Sequence, residues 1–173
     1  VKSVGWEESE IDDLENIDWN YVEKSEVRAS NSDEDSRFKK VIDQVKKERT
    51  TIGGIFQVIA RNVPLGLGSH THWDNKLDGK IAQAMASINA VKGVEIGNGF
   101  ENTKKLGREV QDVIEPNKAD PRNFSQISNH SGGIEGGMSN GNNLIINVAI
   151  KPIATMTSPL PSVDIITGEV VEA

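Results

Sequence analysis

The segment Leu144–Ile150 (LIINVAI) constrains the fold of this 173-residue chain more than any other, because it is the chain's most continuously apolar run. A strand with one face in water alternates apolar and polar residues, whereas a strand covered on both faces is apolar almost throughout. We therefore expect this segment to form a strand of a sheet that is covered on both faces.

Two helices and several further strands are predicted around this strand. The first helix carries its apolar residues at helical spacing on one face: Phe38, Val41, Ile42 and Val45. The second helix is predicted from Asp74 to Ile88, with five buried residues: Leu77, Ile81, Ala84, Met85 and Ile88. Strands are predicted at Ile55–Ala60, at Val91–Ile96 and, as a hairpin, within Val163–Val171. Together these elements predict a mixed fold of class α/β (α+β), with five or six strands.

The charge distribution divides the chain into two parts. Residues 1–35 hold twelve acidic and three basic residues, a balance of −9, whereas residues 36–173 have a balance of +2. Within the acidic segment, Ile11, Leu14 and Ile17 lie at helical spacing, so residues 1–35 are predicted to form a surface helix or a mobile arm. This balance predicts no nucleic-acid partner and no attraction to an anionic membrane.

Composition and motifs exclude several classes of site. Cysteine is absent, which excludes disulfides and thiol nucleophiles, and the aromatic content of 5% argues against a protein that stacks single-stranded bases. His70, His72 and Asp74 would share one face of a strand and could hold a metal, but a polar loop after glycine-rich turns is the favoured reading. We therefore predict no metal. The glycine-rich segments match neither a dinucleotide fingerprint nor a phosphate-binding P-loop.

Glycine and amide residues are concentrated just before the apolar strand. Five glycines occur within ten residues, at 132, 133, 136, 137 and 141, and Lys151-Pro152 follows the strand. Glycines allow backbone N–H groups to approach a planar or anionic ligand, and strand ends are common ligand sites. Flexible turns and a surface lysine explain the same pattern, so spacing alone leaves both readings open.

Five segments of the chain resemble the chorismate synthase family in order and in spacing. They are Asn62–Ser69 (NVPLGLGS), Lys76–Ala82 (KLDGKIA), Met85–Phe100 (MASINAVKGVEIGNGF), Asn129–Gly141 (NHSGGIEGGMSNG) and Lys151–Thr155 (KPIAT). The match covers most of residues 36–173, apart from a short insertion between residues 116 and 128. The resemblance therefore assigns residues 36–173 to the central part of such a domain.

This resemblance implies a β-α-β sandwich, here a partial one, and an enzyme of aromatic amino acid biosynthesis in the shikimate pathway. Members of the family convert 5-enolpyruvylshikimate-3-phosphate to chorismate and phosphate by an anti-1,4 elimination that requires reduced FMN. They are homotetramers of the cytoplasm, or of the plastid in plants. By resemblance, eight residues should contact FMN: Asn89, Ala90, Gly136, Lys151, Pro152, Ile153, Ala154 and Thr155.

The family's two catalytic histidines, its Arg-Ser-Ser flavin motif and its Arg-Ser-Asp motif have no counterpart in these residues. The resemblance consequently assigns no catalytic role to His70, His72 or His130. The first residues, VKSVGWEESE, match neither a signal peptide nor an initiator, so we expect part of a longer chain. Because the family's catalytic motifs have no counterpart here, the resemblance implies a central fragment that is inactive alone. The alternative is a non-catalytic binding or assembly domain that retains the same scaffold.

Overall fold

The computed structural model describes residues 1–11 and 14–172, and it divides the chain into two compact units. One unit comprises residues 1–54 and 151–173, and the other comprises residues 55–150. Residues 35 and 36, between which the sequence predicts a domain boundary, lie within one helix, and the boundary stays a prediction.

The first unit begins with a short antiparallel hairpin, which is followed by helical segments. Strands β1 (Ser3–Val4) and β2 (Glu7–Glu8) pair with each other, a 3-10 turn spans Leu14–Asn16, and helix α1 spans Trp19–Lys24. The acidic segment is thus not one helix at the spacing of Ile11, Leu14 and Ile17. A tertiary contact explains the difference, because the Glu34 carboxylate accepts hydrogen bonds from Ser9 Oγ at 2.7 Å and Glu10 N at 3.1 Å.

Helix α2 (Ser32–Lys47) is the helix predicted from its apolar spacing. The Asn31 side chain caps it by accepting hydrogen bonds from the amides of Asp33 and Glu34, and acidic residues in its first turn complement the helix dipole. Phe38, Val41 and Val45 are buried as predicted.

The second unit is built on three neighbouring strands in the order β3 (Gly54–Ala60), β9 (Leu144–Ile150) and β4 (Val91–Ile96). β4 and β9 are antiparallel, with Glu95 opposite Asn147. The three predicted strands are confirmed. In β9, buried Leu144, Ile146 and Val148 alternate with half-buried residues, so full coverage of both faces, as predicted for LIINVAI, is not found within this unit.

Helix α3 (Leu77–Ala86) packs against this sheet after a 3-10 turn at Trp73–Asn75. Leu77, Ile81 and Met85 contact the core, because residues four apart lie on the same face of a helix. The predicted burial of Ala84 and Ile88 is wrong. Both residues are exposed, and Ile88 lies two residues beyond Ala86, the last residue of the helix.

The polar region between β4 and β9 contains short ordered elements. Helices α4 (Gly99–Asn102) and α5 (Gly107–Val110) precede two hairpins. The strands of these hairpins pair antiparallel: β5 (Ile114–Pro116) with β6 (Phe124–Gln126), and β7 (Ile134–Glu135) with β8 (Met138–Ser139).

The end of the chain forms the predicted hairpin, with strands β10 (Pro161–Val163) and β11 (Val170–Glu172). Asp164 orders its turn by accepting hydrogen bonds from the amides of Ile166 and Thr167. Within residues 1–11 and 14–172, no helix has the length and apolar character needed to cross a bilayer.

Candidate functional site

The glycine-rich loop (residues 129–141) carries the β7–β8 hairpin and has Gly136 and Gly137 at its tip. Both residues have positive φ, +59° and +87°, which favours glycine. A Cβ added to Gly137 would lie 2.7 Å from the Ser69 carbonyl oxygen, so Gly137 is required for packing. A Cβ added to Gly136 would meet no atom within 4 Å, and Gly136 therefore borders open space.

Ser139 fixes this hairpin to the Asn62–Ser69 segment. The side chain is 2% exposed, its Oγ donates to the Pro64 carbonyl at 2.6 Å, and the Leu67 amide donates to the same Oγ at 2.9 Å. The Gly137 carbonyl also accepts a hydrogen bond at 2.8 Å from the amide of Leu77, the first residue of α3. The hairpin tip is therefore anchored at the N-terminal end of this helix.

The start of the glycine-rich loop packs against the turn that follows β4. Gly97 and Gly132 lie backbone to backbone, and a Cβ on either residue would overlap the other's main chain. The Asn98 amide donates to the His130 carbonyl at 3.0 Å, and Asn102 Nδ2 donates to the same oxygen at 3.2 Å. Four of the five segments that carry the family resemblance are thus in contact, since three of them pack against this loop, which is the fourth.

Asp112 is a buried carboxylate beside the same part of the loop, and its side chain has no solvent exposure. It accepts hydrogen bonds from Ser128 Oγ at 2.6 Å, the His130 amide at 2.7 Å and the Ser131 amide at 2.9 Å. Burial alone would raise the pKa of Asp112, but these hydrogen bonds outweigh burial and hold the pKa below its ordinary value. Asp112 is therefore held as an anion.

Arg122 binds the far end of the glycine-rich loop. It donates to the Asn140 carbonyl at 2.8 Å and pairs with Asp120 at 2.8 Å, which lowers the pKa of Asp120 to about 2. Both ends of the loop are therefore tied to polar partners, while its tip at Gly136 is left exposed.

Asn89 and Ala90 lie in the turn between α3 and β4. Ala90 has φ +69°, a left-handed conformation that costs an L-residue about 1–2 kcal/mol. Such strain in a non-glycine residue is found preferentially at functional sites. Asn89 and Gly136 lie towards opposite ends of α3, whose ten residues span about 15 Å, so they can contact only different parts of an elongated ligand.

Lys151–Thr155 follow β9 in the first unit, and all five residues are exposed. Thr51 Oγ1 donates to the Ile153 carbonyl at 2.7 Å, and Arg49 donates to the Thr157 carbonyl at 2.8 Å. These contacts fix the path of the segment. A cavity of about 450 Å³ includes Ala154 and Thr155 in its lining.

Seven of the eight residues that the sequence assigns to FMN are solvent-exposed, and Ala90 is half-buried. Asn89, Ala90 and Gly136 belong to the second unit, and Lys151–Thr155 belong to the first. His70 and His72 lie exposed in a loop, and the described residues contain no group of three His, Cys, Asp or Glu suited to a metal. The sequence did not single out Asp112, because it lies in none of the recognised segments.

Comparison with known proteins establishes the family. The sequence model of the chorismate synthase family matches residues 1–173, including the acidic segment. Chorismate synthase from Aquifex aeolicus is 48% identical over 152 residues, which are 88% of this chain and 38% of the relative. The enzyme from Thermus thermophilus is 47% identical over 148 residues, which are 86% of this chain and 38% of the relative.

A crystal structure of a chorismate synthase matches with a TM-score of 0.81 and 43% identity, covering 90% of this chain and 48% of that chain. This match confirms the mixed helix-and-strand fold. The chain belongs to the chorismate synthase family, and it spans less than half the length of the relatives that it matches.

Proposed function

We propose that this chain is the central part of a chorismate synthase, which converts 5-enolpyruvylshikimate-3-phosphate to chorismate and phosphate with reduced FMN. The observation that carries the proposal is the exposed tip of the glycine-rich loop, in a chain whose residues 1–173 all fall within the match to the family model. The complete protein would be a phosphate lyase, a homotetramer, and located in the cytoplasm or the plastid.

The residues present are compatible with a flavin. Gly136 has a conformation that suits glycine, and the position of its missing Cβ faces empty space, as expected where a planar ring approaches the backbone. The Lys151 ammonium has no ion-pair or hydrogen-bond partner among residues 1–11 and 14–172, which leaves it available to an anion. When bound, reduced FMN supplies the electron-rich ring that this redox-neutral elimination requires.

In this proposal, the residues of this chain bind and orient the cofactor and carry out no proton transfer. Asn89 and Ala90 contact one part of the flavin, and Gly136 allows close approach to another. Lys151 complements the negative charge of the reduced ring or of the phosphate, and Pro152–Thr155 are further cofactor contacts that the resemblance implies. The groups that transfer protons and hold the leaving phosphate belong to parts of the family's length that these residues do not span.

The second candidate function is a binding or assembly domain that has kept the scaffold without the chemistry. The chain's large exposed apolar side chains, among them Trp73 at 84% exposure and Phe100 at 69%, are the observation that favours it. Such side chains are common where another protein surface packs.

An anaerobic assay distinguishes the two functions. The full-length protein encoded by the gene that contains this sequence is mixed with dithionite-reduced FMN and 5-enolpyruvylshikimate-3-phosphate, and chorismate is followed by absorbance. The lyase proposal predicts flavin-dependent turnover. Stable assembly without FMN binding or turnover would favour the assembly domain.

A further inference from the structure

We propose that Asp112 is a positioning residue that fixes the glycine-rich loop in the conformation that presents Gly136 to the flavin. This inference rests on the proposed function for its ligand, but its structural part concerns the loop alone. The resemblance to the family assigned no role to Asp112.

The first observation is the number of donors that converge on one buried carboxylate. Oδ1 accepts from Ser128 Oγ and the His130 amide, and Oδ2 accepts from the Ser131 amide. All three donors lie immediately before Gly132, at the start of the run that leads to Gly136. A buried carboxylate that accepts several hydrogen bonds restrains the backbone strongly, because each donor would lose a charge-assisted bond on moving.

The second observation is that the backbone of His130 is held from both sides. Its amide donates to Asp112, and its carbonyl accepts from Asn98 and Asn102. The next two residues, Gly132 and Gly133, have no side chains to restrain them, and both adopt positive φ. Glycines permit many conformations, so an ordered glycine loop requires its flanking residues to be fixed. Asp112 supplies that restraint on the side that precedes the glycines.

The carboxylate is also specific chemically. An asparagine at position 112 has the same shape, but it presents an NH₂ group to one of the three groups that donate to the Asp112 carboxylate. One hydrogen bond is then replaced by a donor facing a donor. The loop would loosen locally while the buried side chains of β9 keep their packing against Val91 and Ile134.

The test uses Asp112→Asn in the full-length protein, with hydrogen–deuterium exchange measured by mass spectrometry. We expect exchange at residues 128–137 to rise about tenfold to a hundredfold, with no change in residues 146–150 of β9, beyond the hydrogen bond from Ile145 to the loop. In the anaerobic assay, the FMN concentration for half-maximal activity should rise about tenfold, with turnover at saturating FMN within about twofold of the wild type. A merely structural role would instead lower turnover by reducing the folded fraction.

Asp164→Asn is the matched control, because Asp164 also accepts two backbone amides but lies in the C-terminal hairpin. It should leave loop exchange and FMN dependence unchanged. If Asp112→Asn fails to fold, Ser128→Ala removes one donor without changing the charge and should raise loop exchange about threefold. Unchanged loop exchange, or an equal rise in β9, would overturn the inference. Wild-type protein that binds no FMN would overturn the proposed function, whereas a local rise in exchange would still support the role of Asp112 in fixing the loop.

Discussion

The backbones of Gly97 and Gly132 are packed so closely that neither position has room for a side chain. Gly97 donates a hydrogen bond at 2.9 Å to the Ile145 carbonyl, and the Ile145 amide donates at 3.1 Å to the Gly132 carbonyl. This contact joins the turn after β4, the glycine-rich loop and the start of β9. It is the point at which the core strand determines the position of the candidate ligand loop.

Gly132→Ala should therefore be strongly destabilising. The new methyl group would overlap the main chain of Gly97, and alanine would have to adopt φ +65°. We expect a loss of about 3 kcal/mol in the free energy of unfolding, at the upper end of the usual range for single substitutions. Denaturant unfolding of the full-length protein measures it.

Gly107→Ala is the control for this prediction, because no atom lies within 4 Å of the position of its Cβ and the residue begins helix α5. It should change stability by less than about 1 kcal/mol. Equal effects of the two substitutions would contradict the close packing of Gly97 and Gly132.

The Glu34 carboxylate should make stability depend on pH. Burial alone would raise the pKa of Glu34. Hydrogen bonds from the Ser30 and Ser9 side chains and from backbone amides lower the pKa by more than burial raises it, so the net pKa is below the ordinary 4.5. A depressed folded-state pKa stabilises the protein above the unfolded value, and this contribution is lost as the pH falls through the folded pKa. We expect Glu34→Gln to cost about 2 kcal/mol at pH 7 and progressively less below about pH 4.5.

Glu23→Gln is the comparison, since Glu23 forms an ion pair with Arg28 and has a side chain that is 75% exposed. It should cost less than about 0.5 kcal/mol at pH 7. Unfolding curves recorded from pH 3 to pH 7 measure both variants. A cost for Glu34→Gln that stays constant with pH would show that the buried carboxylate is not the origin of the effect.

Lys151→Met tests the proposed contact with a reduced flavin. Methionine keeps most of the apolar stem and removes the charge. If Lys151 complements an anionic ring, the affinity for reduced FMN should fall about tenfold, and the affinity for oxidised FMN should fall less. Fluorescence and anaerobic absorbance titrations of the full-length protein give the two constants. Equal losses for both redox states would restrict Lys151 to a packing role.

The 173-residue chain by itself should not form chorismate. Elimination of phosphate needs cations around the leaving group and a positioned proton donor, and the resemblance places both in segments outside these residues. The anaerobic assay with reduced FMN and a protein-free blank measures any product. Turnover close to that of a complete relative would return the catalytic roles to residues present here, with His70, His72 and His130 examined first.

Local patterns in the sequence were sufficient for several elements. The apolar spacing in α2 and the apolar run of β9 depend on neighbouring residues alone, and both elements form where predicted. The β1–β2 hairpin was missed because its path depends on Glu34, which lies 24 and 25 residues from its partners Glu10 and Ser9. Such a contact leaves no periodic signal.

The candidate site was accessible from the sequence only through the family resemblance. Gly136 and Gly137 are adjacent glycines with the same local pattern, yet Gly137 is buried against Lys76 and Ser69 while Gly136 faces open space. That difference depends on residues about 60 positions away and cannot be read from spacing. Asp112 was missed for the same reason, because its donors lie 16 to 19 residues downstream.

The most direct test of the flavin site is the FMN affinity of Gly136→Val in the full-length protein. Gly168→Val is its matched control, because Gly168 also has positive φ, +73°, and no atom within 4 Å of its Cβ position. Both variants carry the same backbone strain, but only valine at 136 would occupy the space proposed for the flavin. We predict that Gly136→Val abolishes FMN binding but keeps a cooperative unfolding transition, whereas Gly168→Val keeps both FMN binding and the transition. Wild-type FMN affinity in folded Gly136→Val would contradict it.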